Sequence, residues 1–513
     1  MSVNLRQSVK TWLNDTRAAN RDATFDQMVK EFGVEAVIDE LAKRHWRLNV
    51  TFCEKFSGVH ALAHRSRPTN KKLTVALYYH RITNGGAENV CVMLCNRFAE
   101  QKNERGEDKY NVVMVTDVAP QPDEYPLSPK VKRAFVPSSN TAVKKRYTER
   151  FKAWRAIIEE FDIDIVVHAQ WLSDGAFWDM LTIKSAPSHP AFITHCHNFC
   201  GEPYLWTGNT ASWLPAKYQL CDGVVTLSEC DKEFVRAFNS NTRASVNPFA
   251  FSPRETPNSG YEPNTITWVG RLDPEQKKPL DALKALELIR EEIPDVMLYV
   301  VGAYNEKCRK QLDQYIADHE LEANVHMVGF TLDTAKYYRK ASVFLMTSSF
   351  EGFPLTLGEA LSFGVPVISY ELPYLTYMRD GRGIITVPQR DYDAMAHETV
   401  ALLRNPERIQ ELGEQGKKMV TELAEAPIIS EWEDLFKSVS LHEGLPQRPK
   451  SDSAAILYKY ITLYSQMGRD AQEERSASRR ICRALFWLPR KICESRLGRC
   501  AYDLWRMMKR VRE

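Results

Sequence analysis

Two doubly wound, Rossmann-like α/β domains facing a cleft, with helical extensions at both ends, are the architecture this sequence predicts. Three observations carry the expectation. The chain has 513 residues, more than one ordinary hydrophobic core accommodates. Two successive series of short apolar runs alternate with helical stretches. A stretch holding four prolines, Asn247–Pro263, separates the series.

The first series opens after residues 1–70. Phe25, Met28, Val29, Phe32 and Ala36 recur there at helical spacing with no strand run between them, which predicts a helical N-terminal extension. From Leu73 to Tyr79 the pattern becomes a short apolar run rich in strand formers. Similar runs follow at Val112–Val115, Ile163–His168, Ala191–His195 and Gly223–Leu227. The second series has runs at Thr265–Val269, Val296–Val301, Val325–Val328, Val343–Met346 and Val365–Ser369, with helical segments near 279–292, 306–318, 333–340 and 356–363. Continuous apolar strands between helices indicate parallel sheets buried on both faces. Such sheets bind ligands at the C-terminal ends of their strands. Residues 391–440 are helical in pattern, 442–453 read as a linker, and the chain from 454 is helical again. The expected domains are therefore 1–70, 71–255, 256–440 and 454–513.

Composition narrows the function. A net charge of +2 excludes a nucleic-acid binder by charge, and 44% hydrophobic with 26% charged residues is the balance of a soluble globular protein. The first residues show no apolar signal core, no run of about 18 apolar residues occurs, and the 11 cysteines are irregularly spaced. These features predict a cytoplasmic protein with free thiols.

The densest motif is Glu351-Gly352-Phe353-Pro354-Leu355-Thr356-Leu357-Gly358-Glu359. It sits where a strand turns into a helix, so backbone N–H groups at the turn can face an anion with the helix dipole behind them. The two glutamates can hydrogen-bond two sets of hydroxyls on one extended ligand. The alternative is a plain strand–turn–helix unit with solvated carboxylates. A second motif runs from Trp268-Val269-Gly270-Arg271 to Lys277-Lys278-Pro279. An arginine followed six residues later by a lysine supplies two cations for a departing diphosphate without a metal; the alternative is an ordinary charged loop.

The Glu-x7-Glu string resembles that of the retaining glycosyltransferases of family 4, and the resemblance covers roughly residues 72–440. It implies a GT-B fold, a nucleotide-diphosphate sugar as donor and an α-linked product. By that resemblance Glu351 contacts the transferred sugar and Glu359 the ribose hydroxyls. Gly352, Phe353 and Leu355 face sugar and diphosphate through their amides, and Arg271 and Lys277 hold the diphosphate. Pro279 stands where the family often has glycine, and the adjacent Lys277 and Lys278 leave the register open.

Asn84-Gly85-Gly86-Ala87-Glu88 lies between a strand and a helix. Glycines there let the backbone approach a ligand, and a similar Gly-Gly-Ala-Glu element lies near diphosphate and acceptor in the family; a tight turn is the simpler reading. At His195-Cys196-His197-Asn198 the resemblance places a histidine at the reaction centre, His197 first and His195 as the alternative. Together with Cys200 these residues also have the chemistry of metal ligands, but neighbours on a strand point to opposite faces and no second cluster completes a zinc pattern. Asp162-Ile163-Asp164 has the spacing of a metal-binding Asp-x-Asp, and its place before an apolar strand reads as structural. No metal and no cofactor are expected. Ser228-Glu229 reads equally as a helix N-cap or as part of the interdomain crevice.

From Arg479 to residue 512 basic residues interleave with Phe486, Trp487, Leu488, Trp505 and Met508. That pattern suits a helix on an anionic membrane surface, or one packed on the protein. The expectation is a retaining, metal-independent hexosyltransferase acting on a polysaccharide, teichoic acid or lipid-linked acceptor, of the bacterial cell-surface polymer type. A non-catalytic GT-B subunit and a sugar-nucleotide epimerase are the alternatives.

Overall fold

Each half is built on a sheet whose strands are apolar on both faces. The computed structural model describes residues 2–15, 18–45, 48–66, 71–83, 85–138, 143–206, 213–245, 261–303, 306–378 and 381–447. The basic segment 479–512, most of the expected linker and Asn84 lie outside the described residues.

The first sheet contains β1 (Leu73–Tyr78), β2 (Tyr110–Thr116), β3 (Lys132–Phe135), β4 (Ile165–His168), β5 (Ala191–His195), β6 (Gly223–Thr226) and β7 (Thr242–Ala244). Among the described residues its order is β3-β2-β1-β4-β5-β6-β7, and every pairing is parallel. The second contains β8 (Thr265–Val269), β9 (Met297–Val301), β10 (Val325–Gly329), β11 (Val343–Met346), β12 (Val367–Tyr370) and β13 (Ile384–Val387), ordered β10-β9-β8-β11-β12-β13 and likewise parallel. In each sheet the order reverses beside its first strand. That switch point opens a crevice at the C-terminal ends of β1 and β4 in one half and of β8 and β11 in the other. These are two Rossmann-like sheets, as expected.

Strands β3, β7 and β13 were not expected. They lie at sheet edges and are only partly buried; β3 (Lys-Arg-Ala-Phe) and β7 (Thr-Arg-Ala) carry no continuous apolar run, whereas the four-residue β13 (Ile-Ile-Thr-Val) does. The interior strands β4, β6, β11 and β12 are buried at every position.

The N-terminal segment folds into helices Ser2–Asn14, Ala18–Phe32, Val34–Arg44 and Val50–Glu54. Trp12, Phe25, Phe52 and Phe56 form one aromatic cluster, which meets Phe177 and Trp178 of the helix Asp174–Lys184. That helix is buried at every residue from Gly175 to Lys184. A helix apolar all round needs cover on both sides, and the N-terminal layer provides the second. Its charged members are paired within the fold: Asp179 takes two hydrogen bonds from Arg150, and Lys184 reaches Asp222 at 2.5 Å.

The helix Ile428–Leu441, within and just beyond the expected 256–440 segment, packs on the first sheet. Trp432, Leu435, Phe436 and Val439 share a core with Val75, Leu77, Val112, Ile165 and Ile193, and Phe436 lies 5.1 Å from Phe98, ring to ring. Its apolar stripe needs a partner, and the face of β1, β2 and β5 offers one. No helix among the described residues is long and apolar enough to cross a membrane.

Trp432→Ala is expected to cost about 3–5 kcal/mol, the range for deleting a large buried aromatic side chain. Hydrogen exchange in β1 and β5 is the measurement. Protection unchanged from wild type would mean that this helix is peripheral to the first sheet.

Candidate active site

The turn after β8 begins with a close approach of two backbones. Gly302 has φ +147°, and a Cβ on it would lie 1.8 Å from the carbonyl oxygen of Gly270. Only glycine fits, and the contact fixes where Arg271 leaves the sheet. Asp273 then organises the loop. Its carboxylate accepts the N–H groups of Glu275 and Gln276 at 2.9 Å, and its carbonyl accepts those of Lys277 and Lys278. Lys278 takes a left-handed conformation with φ 47°, and the helix Pro279–Glu292 starts directly after it. Proline suits the first helical position because its missing N–H has no helical partner there. This accounts for Pro279.

The geometry separates the two lysines. Lys277 Nζ lies 2.5 Å from Glu351 Oε1, and both side chains are largely buried. Gln276 donates to the carbonyl of Phe350 at 3.3 Å and to Glu351 Oε2 at 3.5 Å, while its own oxygen accepts from Arg271 at 3.0 Å. Arg271, Gln276, Lys277 and Glu351 are thus one connected group. Thr347 Oγ1, at the end of β11, accepts from the Trp268 indole and donates to the Lys277 carbonyl, which ties the two loops together.

The two glutamates are each held by a tyrosine. Tyr374 accepts the Glu351 N–H at 2.7 Å and donates to the Glu351 carbonyl at 2.9 Å. Eight residues on, within the helix Leu355–Ser362, Glu359 Oε2 accepts from the Tyr338 hydroxyl at 2.9 Å. Gln276, Tyr338 and Tyr374 were not expected at the site. Each sits outside the recognisable motif strings or among their unremarkable members, and only the fold brings them to the glutamates.

The first half contributes two loops. Gly85 caps the helix Gly86–Glu100, and a Cβ on Gly86 would lie 3.2 Å from Leu355 Cδ1. The Gly-Gly turn and the Glu-x7-Glu turn are therefore neighbours. Glu88 folds its carboxylate back over Gly85, where a Cβ would stand only 2.0 Å from Oε2. This carboxylate is buried and 3.7 Å from Arg81. Burial raises its pKa, while its own backbone N–H and the charges of Arg81 and Arg271 oppose the rise. A side-chain anion thus sits at the helix N-terminus, where the sequence suggested a bound one.

The loop after β5 reaches the same place. A Cβ on Gly352 would meet Asn198 Cα at 2.8 Å, and the Phe199 ring stacks on Tyr374 at 4.3 Å. His197 is partly exposed, with Nε2 3.8 Å from Cys91 Sγ. His195 is 1% exposed, and its ring lies between those of Trp432 at 5.2 Å and His197 at 4.1 Å. Of the two histidines, His197 is the one beside the Asn198–Gly352 contact. Ser228 caps the helix Glu229–Arg236 by accepting from Asp231 N–H. The same Asp231 accepts from Cys200 N–H and the Ser228 hydroxyl, and burial lifts its carboxyl to about 6.

Asp162 and Asp164 precede β4 and so lie at the opposite edge of the sheet. Asp164 accepts the Thr74 N–H at 2.8 Å and Asp162 pairs with Lys71. Among the described residues no three His, Cys, Asp or Glu side chains converge as metal ligands.

Two doubly wound sheets, with cations and glutamates gathered at their strand ends, define a two-domain GT-B glycosyltransferase. Residues 253–419 match the family model of the glycosyl transferases group 1, and residues 84–253 match that of glycosyltransferase family 4. The chain belongs to this family of glycosyltransferases. An uncharacterised glycosyltransferase of Haemophilus influenzae is 25% identical over 69% of this chain and 96% of its own length. The poly(glycerol-phosphate) alpha-glucosyltransferase of Bacillus subtilis is 25% identical over 48% of this chain, and the match spans 37% of that enzyme. The crystal structure of HepE from Anabaena, in complex with UDP and glucose, shares the fold. Its TM-score is 0.56 at 12% identity, over 72% of this chain and 99% of that one.

Loss of hydration holds both imidazoles neutral, that of the buried His195 at the end of β5 and that of His197, which keeps only part of its surface exposed. His197 is pushed down to about 3, and His195 also lies well below the ordinary 6.5. The unfolded chain takes up these protons first, so stability present above pH 6.5 is lost as pH falls, by up to about 1.4 kcal/mol per pH unit for each imidazole. His197→Gln is expected to flatten the decline of the melting temperature between pH 7 and 5. Parallel curves for variant and wild type would mean that the imidazole titrates as it does in water.

Proposed function

We propose that this chain is a retaining hexosyltransferase that moves a sugar from a UDP-sugar onto a cell-surface polysaccharide, teichoic acid or lipid-linked acceptor, forming an α-glycosidic bond without a metal ion. The observation that carries the reading is the connected group Arg271–Gln276–Lys277–Glu351, with Glu359 on the adjoining helix. It combines two cations suited to a diphosphate with two carboxylates suited to hydroxyls.

In this reading Glu359 accepts hydrogen bonds from the ribose, and Arg271 and Lys277 hold the diphosphate, with the backbone at Gly85, Gly86, Gly352, Phe353 and Leu355 close by. Glu351 and His197 hold the sugar. The acceptor hydroxyl attacks the anomeric carbon on the face from which the diphosphate departs. The anomeric carbon–phosphate oxygen bond breaks, the new glycosidic bond forms, and the hydroxyl proton passes to the leaving phosphate. Charge that grows on that phosphate is stabilised by the two cations. Closure of the halves excludes the water that would otherwise hydrolyse the donor. The alpha-glucosyltransferase name of the Bacillus subtilis relative supports the polymer acceptor and the α linkage, and the UDP and glucose carried by HepE support the donor. The basic segment 479–512 suits an acceptor held at an anionic membrane surface.

The test is a thermal-shift screen against UDP, GDP, ADP and CMP, with and without EDTA, on wild type, Arg271→Ala and Glu359→Ala. A ligand at a hundred times its Kd stabilises the folded state by about 2.7 kcal/mol. UDP is expected to raise the melting temperature regardless of EDTA. Both variants are expected to need about 10- to 100-fold more UDP, as follows from losing a hydrogen bond that involves a charged group. A shift abolished by EDTA would overturn the metal-free site, and no shift with any nucleotide would favour a non-catalytic subunit.

A further inference from the structure

We infer that Tyr338 is the positioning residue for Glu359 and so sets how strongly the site distinguishes a ribonucleotide from a deoxyribonucleotide. The inference rests on the reading of Glu359 as the ribose ligand.

The Tyr338 hydroxyl lies 2.9 Å from Glu359 Oε2 and 3.4 Å from the carbonyl of Thr356. A phenol has one proton to donate, and the shorter contact to a carboxylate is the stronger acceptor. The tyrosine cannot easily move away. It lies on the short helix Ala335–Lys340 and is 1% exposed. Its ring runs nearly parallel to that of Phe363 at 5.7 Å, and the Phe344 ring is 5.8 Å away. Both neighbours belong to the core that also holds Leu357, Ala360 and Leu361 of the glutamate's own helix. One rigid ring therefore connects the helix before β11 to the helix after it.

A glutamate side chain has three rotatable bonds and loses that freedom when it binds a ligand. A donor that fixes one carboxylate oxygen in advance reduces the loss and aims the group. A carboxylate also has about four lone-pair sites, so a phenol on one oxygen does not by itself fill the group. The effect acts only through hydroxyls that Glu359 receives. A ligand without the 2′-hydroxyl gains less from it.

The experiment measures the binding of UDP and 2′-deoxy-UDP by calorimetry to wild type, Tyr338→Phe, Glu359→Ala and the double variant. Wild type is expected to prefer UDP by about tenfold or more, the worth of a hydrogen bond to a charged acceptor. Tyr338→Phe is expected to weaken UDP by about three- to tenfold and 2′-deoxy-UDP, which keeps only the 3′-hydroxyl, by distinctly less, so the preference shrinks. In the Glu359→Ala background the same change is expected to add nothing, since the two residues act as one unit. Phe363→Leu, which loosens the ring but keeps the hydroxyl, is expected to lower the melting temperature and retain the preference. Equal weakening of both nucleotides by Tyr338→Phe, or no weakening, would overturn the inference alone, provided Glu359→Ala erases the preference. A preference that survives Glu359→Ala, or a wild type that binds no UDP, would overturn the ribose reading and the inference with it.

Discussion

Glu351 is a carboxylate only 5% exposed at the mouth of a parallel sheet, and a buried charge persists only when it is paired and hydrogen-bonded. Much of the crevice can be understood as meeting that demand. Lys277 supplies the countercharge, Gln276 a second donor, and Tyr374 fixes the backbone on either side. The partners come from two loops: the one after β8, which carries Gln276 and Lys277, and the one after β12, which carries Tyr374. Glu351, through its carboxylate on one side and its backbone on the other, thus ties together the C-terminal ends of three neighbouring strands. The second half's switch point is organised before any ligand arrives.

The contact between the halves is built on the same residue. Gly352, next to Glu351, touches the Asn198 backbone so closely that a methyl group would not fit, and Tyr374 carries the Phe199 ring. The loop with His197 is therefore coupled to the backbone of Glu351 rather than to its carboxylate. The two histidines nevertheless differ in burial, although their rings lie 4.1 Å apart. His195 points into the core against Trp432, and Trp432 belongs to the helix that returns from the second half. The returning helix supports the strand from which the His197 loop springs.

What could be read in the sequence follows from where burial constrains residue choice. Interior strands such as β4 and β11 are buried on both faces and stand out as apolar runs. Edge strands β3 and β7 do not, being short and half-exposed, although the edge strand β10 was legible as Val325–Val328. The Glu351–Glu359 string and the Arg271–Lys277 pair were legible as a family resemblance, since spacing alone would equally suit a plain turn or a charged loop, and the fold brings Arg271, Lys277 and Glu351 into one connected group. The choice between Lys277 and Lys278 was not legible. It depends on Lys278 adopting φ 47°, which no local pattern announces. Tyr338 and Tyr374 were hidden for a different reason. Tyr338 stands among lysines and an arginine and Tyr374 in a loop, and neither pattern announces a hydroxyl that meets a glutamate. The amphipathic helix Ile428–Leu441 declares a stripe, and only the fold shows the sheet that receives it.

The electrostatics of the crevice bear on how a donor would enter. Arg271 and Lys277 do not wait in isolation: Lys277 is bound to Glu351, and the charge of Arg271 is felt by Glu88, which also faces Arg81. Glu88 lies over the start of its own helix, the position a diphosphate would find most favourable in the first half. If a diphosphate binds as proposed, it competes with two internal carboxylates for the same cations and the same helix terminus. Such competition lowers affinity, but it also keeps the cations from being stranded in a partly buried site. It further means that donor binding releases Glu351 from Lys277. A carboxylate released beside the transferred sugar can accept its hydroxyls, so binding of the diphosphate and grip on the sugar become one event rather than two.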